Sequence, residues 1–348
     1  YSMKRYAAET PHFRIYYHDG IEHLIKPVAD KFESLYEIYS KTYALKLPSK
    51  TEVLLQDGDE SNGLTVPSLN FIILWTHDFD FDLRGSHDWW NDVITHEFAH
   101  QMSIWIGMKY PAWLQGIQLG YFTHPNEPRR LDMFHVLPSD ILPPWFTEGI
   151  AQYESSKNGS DSWDSHRDMM LRARALEGKL LTMNQMEVFG KNTLGSEYVY
   201  NQGYSLVGYI ARKWGDDALA RLTNQMSKLY RWDFNSSCRE VLGVSENELY
   251  ALWNLDLSAD YESRIGLIRD NLCSGAVVRD EGFGNLYPAF SPGGDKIAFV
   301  SNKDKDYLSL GRTVIYDVAK DTVVETDCPN SDHLDWSPNR KYLLYARE

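Results

Sequence analysis

The spacing of apolar residues predicts strands near the N-terminus and mainly helices from residue 89 to about residue 265. Apolar and polar positions alternate at 12–17, and apolar residues also indicate strands at 52–56 and 69–75. An early helix is indicated by an apolar stripe at three- and four-residue spacing, made by Val28, Phe32, Leu35, Tyr36, Tyr39 and Tyr43. Later helical patterns lie at 89–105, 145–157, 164–178, 202–214 and 216–230, and a capping box of Ser245 and Glu248 begins another. Strands followed by helices are typical of an α+β fold, which is the fold class we predict.

Residues 107–144 interrupt this pattern. They contain prolines at 111, 125, 128, 138, 143 and 144, together with several glycines. We therefore predict a long irregular insertion. Long loops of this kind are often functional, so we expect the insertion to cover part of a binding cleft.

A repeated phrase marks a change of composition after Asn271. Residues 287–301 indicate a turn followed by an alternating strand, and similar residues recur at 333–345. The two Ser-Pro pairs, at 291 and 337, lie 46 residues apart, which agrees with propeller blades of roughly 40–50 residues. We predict one domain at 1–270 and a second at 271–348. The second is a partial β-propeller-like segment, because two copies cannot close a propeller of at least about four blades.

Charge and composition narrow the possible partners. The formal net charge of -14 argues against nucleic acid or an anionic membrane as the main partner. No apolar run reaches the roughly 18 residues that a transmembrane helix needs, so we predict no transmembrane segment. Three cysteines cannot build a disulfide framework; Cys238 and Cys273 could pair, or both could be free thiols.

The predicted helix at 89–105 contains the sequence His96-Glu97-Phe98-Ala99-His100. Residues four apart lie on one face of a helix, so both imidazoles could bind the same metal ion. Glu97 lies beside them and could accept a proton from water without being a ligand. This pattern indicates a catalytic metal site.

A catalytic zinc usually takes three protein ligands, and two histidines are therefore too few. In one known zinc-binding pattern, the third ligand is a histidine six residues after the second one. Ile106 occupies that position here, so this pattern is excluded. Glu148 is the alternative, on the later helix predicted at 145–157. The small residues Gly149 and Ala151 follow it and would allow two helices to approach closely.

Together, His-Glu-Phe-Ala-His and the Pro-x-Trp-Phe-x-Glu-Gly-x-Ala-x-Tyr stretch at 143–153 resemble the gluzincin metallopeptidases, in particular the bacterial peptidase-MA-like group. The resemblance covers roughly residues 6–265 and includes a first strand within 9–17. It implies a zincin-like domain in which His96, His100 and Glu148 bind one Zn²⁺ and Glu97 is the general base. The Ser-Pro repeat is similar to the Tol-type β-propeller often fused to this group.

Two further roles depend on the resemblance. Gluzincins commonly supply a Tyr or His that stabilises the oxyanion, and Tyr198, Tyr200 and Tyr204 are the candidates here. The family pattern favours Tyr200, placed just before the helix predicted at 202–214. Many gluzincins also carry an acid four residues after the ligand Glu, where this chain has Gln152; Glu154 or a main-chain carbonyl could orient the imidazole instead.

The resulting hypothesis is zinc-dependent hydrolysis of a peptide bond in a peptide or protein substrate. We expect the substrate to bind as an added strand along a sheet edge, for which 70–75 is the candidate. One alternative is a catalytically silent scaffold that recruits a protein partner through the propeller, and another is a hydrolase of non-peptide amides. The resemblance implies a periplasmic or secreted bacterial protein, and a chain that begins at Tyr1 rather than Met agrees with a removed leader.

Overall fold

A computed structural model describes residues 4–58, 61–78, 83–85, 87–110, 114, 117–122, 131–137, 140–190, 192–329 and 333–346. The chain forms two compact units. The first comprises Tyr1–Val188 with Tyr198–Arg264, and the second comprises Phe189–Glu197 with Ile265–Glu348. Helices and open sheets are both present, so the predicted α+β class is confirmed at that level.

A five-stranded sheet opens the first unit. Its strands, in chain order, are β1 Arg5–Glu9, β2 Phe13–His18, β3 Thr51–Gln56, β4 Gly63–Val66 and β5 Phe71–Trp75. Their order across the sheet is β1-β2-β3-β5-β4. The β2-β3 and β3-β5 pairs are parallel, whereas the outer strands β1 and β4 pair antiparallel with their neighbours.

The prediction that 70–75 forms a sheet edge is wrong. Strand β5 is paired on both sides, by β3 and β4, and β4 is the outermost strand. A run of five apolar residues, Phe71–Trp75, suits a strand that is covered on both faces and flanked by neighbours. The short edge strand Gly63–Val66 contains one Gly and one Thr and therefore gave no strand pattern.

The helices follow mainly after the sheet. They are α1 Ile25–Thr42, α2 Trp89–Gly107, α3 Pro144–Lys157, α4 Ser165–Leu176, α5 Met183–Met186, α6 Thr193–Trp214, α7 Asp217–Met226, α8 Phe234–Leu242 and α9 Glu246–Arg269. The α6 helix begins nine residues before the predicted start at 202, at Thr193. The insertion is not wholly irregular, because β6 Ile117–Phe122 and β7 Leu131–Leu137 form an antiparallel pair within it. Two paired strands satisfy main-chain hydrogen bonds that an irregular loop would leave open.

The two largest apolar cores among the described residues hold most helices of the first unit. One lies between the sheet and helices α1 and α2, where the rings of Phe13, Phe32 and Phe98 meet at centroid distances of 4.8 to 5.9 Å. The other lies among the later helices and contains Trp145, Phe146 and Phe234. Helix α2 packs into the first core through its apolar side, which fixes the direction of its polar residues.

The second unit contains the four-stranded antiparallel sheet β8 Asn285–Phe290, β9 Lys296–Ser301, β10 Arg312–Asp317 and β11 Thr322–Pro329, and the pair β12 Leu334–Trp336 and β13 Leu343–Tyr345. The Ser-Pro repeat is also a structural repeat. The Lys296 N–H donates to the Ser291 hydroxyl at 3.0 Å, and the Tyr342 N–H donates to that of Ser337 at 2.9 Å. The described strands form open sheets and no closed propeller.

Two other predictions concern chemistry outside the sheets. All three cysteines are free, so the predicted alternative of a Cys238–Cys273 disulfide is not found. Cys238 is buried, and burial raises the pKa of its thiol. Among the described residues, no helix is both long and apolar enough to cross a membrane.

Candidate metal centre

Helix α2 carries both histidines of the candidate site. The helix begins after Asp88, whose side chain accepts a hydrogen bond from the Asn91 N–H. The apolar residues Phe98 and Ala99 are fully buried in the core next to the sheet. His96 and His100 therefore project together from the remaining face, and their ring centroids are 4.7 Å apart.

Helix α3 supplies Glu148. Pro143 and Pro144 begin this helix, where a missing N–H costs nothing. A Cβ on Gly149 would lie 2.5 Å from the Gly203 main-chain oxygen, so only glycine permits the observed approach of α3 to α6. Ala151 instead packs into the core that contains α2. The small residues thus pack α3 against both α2 and α6, with Glu148 facing the histidines.

The three candidate ligand atoms form a nearly equilateral triangle. Glu148 Oε2 lies 3.2 Å from His96 Nε2 and 3.1 Å from His100 Nε2, and the two nitrogens are 3.1 Å apart. Among the described residues, His96, His100 and Glu148 are the one group of His, Cys, Asp or Glu whose atoms converge in this way. This group could bind a metal ion.

Glu148 and His100 each favour the charged form of the other. Burial alone would raise the pKa of Glu148, but the two histidines hold it well below its ordinary value. Burial would likewise lower the pKa of His100, yet the Glu148 carboxylate outweighs that effect and raises it. A carboxylate that its neighbours keep anionic in this way suits a bound cation.

Glu97 lies next to this group and is 7% exposed. Burial raises the pKa of Glu97, and His100 and His96 partly oppose that shift. The Thr65 hydroxyl of the edge strand β4 lies 2.8 Å from both the main-chain oxygen and Oε2 of Glu97. Gly63, on the same strand, faces the same carboxylate. No sequence pattern indicates Thr65 or Gly63, because β4 has no strand pattern of its own.

Neither of the side chains considered as an imidazole partner contacts a ligand histidine. Gln152 donates to Asp161. Glu154 accepts from Tyr43 at 3.4 Å and from Asn158, in a separate contact between α3 and α1. The Nδ1 atom of His100 is buried and has no hydrogen-bond partner among the described residues.

Asp92 is an acid near the site that the sequence analysis did not select. It lies 3.2 Å from His87, and it occupies the helical position one turn before His96. Burial alone would raise the pKa of Asp92, but His87 and the nearby His96 lower it. The four-residue spacing from His96 is the sequence signal that could have found it.

The candidate tyrosines diverge along α6. Tyr200 lies within the helix rather than before it, with its ring 6.5 Å from that of His96. Tyr198 contacts Arg174. Tyr204 stacks on Trp163 at 4.7 Å and lines a cavity of about 600 Å³ whose lining does not include the three ligand residues. Tyr200 is thus the tyrosine that the structure brings beside the histidines.

The prediction that the insertion covers the cleft concerns side chains that lie mostly outside the described residues. Sequence comparison matches the chain to no family model and to no curated protein. The chemistry of the site therefore rests on its residues and their geometry.

Proposed function

We propose that the chain is a zinc-dependent peptidase of the gluzincin type. The convergence of His96, His100 and Glu148 beside the buried Glu97 is the observation that carries this proposal. Two histidines and one carboxylate are a common ligand set of catalytic zinc, which leaves one position for water. The structure and the resemblance of the two helices to gluzincin motifs support the same chemistry.

The size of the ligand triangle supports zinc in particular. Zinc binds nitrogen and oxygen ligands at about 2.0–2.1 Å, so two ligands of a tetrahedral site lie roughly 3.3 Å apart. The three atoms here are separated by 3.1 to 3.2 Å. Calcium would prefer six to eight oxygen ligands at about 2.3–2.6 Å and does not suit two imidazoles.

The roles of the protein groups follow from this placement. When bound, the metal would act as a Lewis acid toward water and the substrate carbonyl. Glu97 takes the proton of the attacking water at a carboxylate oxygen and returns it to the leaving amine nitrogen. Tyr200, whose ring lies 6.5 Å from that of His96, is our candidate donor to the oxygen that gains charge.

Strand β4 provides an edge for the substrate. The Trp75 N–H donates to the Asn62 oxygen at 3.0 Å, so the alternation of antiparallel bonds directs the main-chain groups of Gly63 and Thr65 away from β5. An extended peptide could add to this edge as a further strand. Because the Thr65 side chain reaches Glu97, such a peptide would pass the general base.

The repeated turn at Ser291 and Ser337 extends the proposal to the second unit. We assign 271–348 to a partial segment of a Tol-type propeller, and we place the protein in the bacterial periplasm or outside the cell. Both assignments rest on the resemblance of the repeat and of the gluzincin motifs.

The decisive experiment compares the wild type with Glu97→Gln, using metal analysis and hydrolysis of casein or a peptide library. We expect stoichiometric zinc in both proteins and a loss of turnover of about 10²- to 10⁴-fold in the variant. Glu154→Gln is the matched control, since it neutralises another buried glutamate away from the ligand group. If the protein binds zinc but shows no hydrolysis that Glu97→Gln abolishes, the proposed peptidase function is wrong. If it binds no zinc even after reconstitution, the proposed metal site is wrong.

A further inference from the structure

Two residues of the edge strand β4, Thr65 and Gly63, lie against the proposed general base Glu97. The Thr65 hydroxyl has one proton, and it lies 2.8 Å from both the main-chain oxygen and Oε2 of Glu97. The hydroxyl therefore links the main chain of Glu97 to its carboxylate, and it donates to one of the two oxygens at a time. Because a glutamate side chain has several rotatable bonds, this link restricts where its carboxylate can lie.

Gly63 closes the opposite side of the same carboxylate. A Cβ placed on Gly63 would lie 2.7 Å from the Glu97 carboxyl carbon, which is too close for a real contact. No positive φ requires glycine here, so the need for glycine is steric. Strand β4 thus leaves space for the carboxylate at Gly63 and holds it at Thr65.

Thr65 also has main-chain groups at the outer edge of the sheet. Its N–H and C=O point away from β5, whereas its side chain points to Glu97. A peptide that pairs with this edge would bind the residue that fixes the carboxylate. Substrate binding and the placement of the base would therefore depend on the same strand.

We propose that Thr65 is a positioning residue that holds Glu97 in its reactive orientation, with Gly63 providing the space. This inference rests on the proposed peptidase function. Thr65 acts through Glu97 and not on the reacting atoms. Its loss should therefore lower kcat, because the base is misplaced, and leave KM nearly unchanged, because the main chain of β4 remains.

The test compares Thr65→Val with Thr65→Ser in the full chain. Valine has a similar size but no hydroxyl, and we expect kcat to fall by about 10- to 100-fold, a typical cost of misplacing a catalytic group by about 1 Å. Serine keeps the hydroxyl and should retain kcat within about threefold of wild type, by the same reasoning. Zinc content and KM should stay at wild-type values in both variants.

Two other variants make the result interpretable. Thr42→Val removes the hydroxyl of another threonine, which donates to the Ile38 main-chain oxygen at the end of α1, and it should leave kcat unchanged. Gly63→Ala should lower kcat as Thr65→Val does, and it provides a second test if the valine variant is unstable.

The failures of the two proposals are distinguishable. If Glu97→Gln abolishes turnover but Thr65→Val and Gly63→Ala keep wild-type kcat, the positioning role is wrong and the peptidase stands. Equal losses in Thr65→Val and Thr65→Ser would also overturn it, since the hydroxyl would then be irrelevant. If Glu97→Gln has no effect, both proposals are overturned.

Discussion

Two of the clusters of buried polar side chains in the first unit differ in how their atoms are paired. In the cluster around Arg167, which is 2% exposed, each guanidinium donor lies opposite an oxygen acceptor. Its terminal nitrogens donate to both oxygens of Asp161 at 2.7 and 2.8 Å, and its Nε donates to Asp164. At the candidate metal centre, by contrast, two imidazole nitrogens and a carboxylate oxygen converge on one point.

This is the difference we expect between a structural cluster and a functional one. The Arg167 cluster satisfies its charges internally, so it requires nothing from outside the protein. The convergent lone pairs of His96, His100 and Glu148 are satisfied only by protons or by a cation. Substitutions in the first cluster should therefore change stability, and substitutions in the second should change metal binding and turnover.

Glu148→Gln should have the largest effect. It removes the anionic ligand and nearly preserves the shape of the side chain. We expect loss of stoichiometric zinc and a decrease in kcat/KM of at least about 10³-fold, because water activation requires the bound metal. Metal analysis and peptide hydrolysis measure both effects.

The same variant also tests the site without an activity assay. Zinc that binds only the folded state at about 100 times its Kd should stabilise wild type by roughly 2.7 kcal/mol. We expect a matching rise in Tm for wild type and none for Glu148→Gln. An equal rise in both proteins would show that zinc binds elsewhere.

Arg167→Met should have the next largest effect, and on stability. It leaves the Asp161 carboxylate buried without its charged partner, which typically costs about 3–5 kcal/mol. Denaturant unfolding should show this loss, while zinc content and kcat of the folded protein remain near wild type. Arg221→Met is the matched control, because its exposed pair with Asp217 contributes at most about 1 kcal/mol. Loss of zinc together with normal stability in Arg167→Met would contradict the separation.

The sequence predicted the candidate metal centre better than its surroundings. His96 and His100 lie within one helix, so their four-residue spacing alone determines that they share a face. Glu148 could be selected because it lies on a second predicted helix and has small residues beside it. Its distance of 3.1 to 3.2 Å from the histidines depends on the packing of α3, which spacing does not reveal.

The edge of the sheet could not be predicted, for a physical reason. Strand β4 is four residues long and contains Gly63 and Thr65, which are needed for their contacts with Glu97 rather than for apolar packing. Strand β5 has the stronger apolar pattern because it is internal. Apolar periodicity therefore identified the buried strand and missed the strand that contacts the site. The partner of Gln152, Asp161, was likewise hidden because their contact depends on a loop.

Glu154→Gln should have the smallest effect and the opposite sign. Burial raises the pKa of Glu154, so the folded protein holds this proton more tightly than the unfolded chain does. Stability from this group is therefore fully present below its unfolded pKa and is lost as the pH rises toward its folded pKa. Glutamine removes that loss, so at pH 8 the variant should have a higher Tm than wild type. Its gain in unfolding free energy should be smaller than the roughly 3–5 kcal/mol that Arg167→Met loses. Near pH 4 the two proteins should unfold at similar temperatures, and the exposed Glu37→Gln should follow wild type at both pH values. If the Tm of Glu154→Gln at pH 8 is instead lower than that of wild type, Tyr43 and Asn158 stabilise the Glu154 carboxylate. Glu154 would then resemble the Arg167 cluster, as a buried charge whose partners lie within the protein.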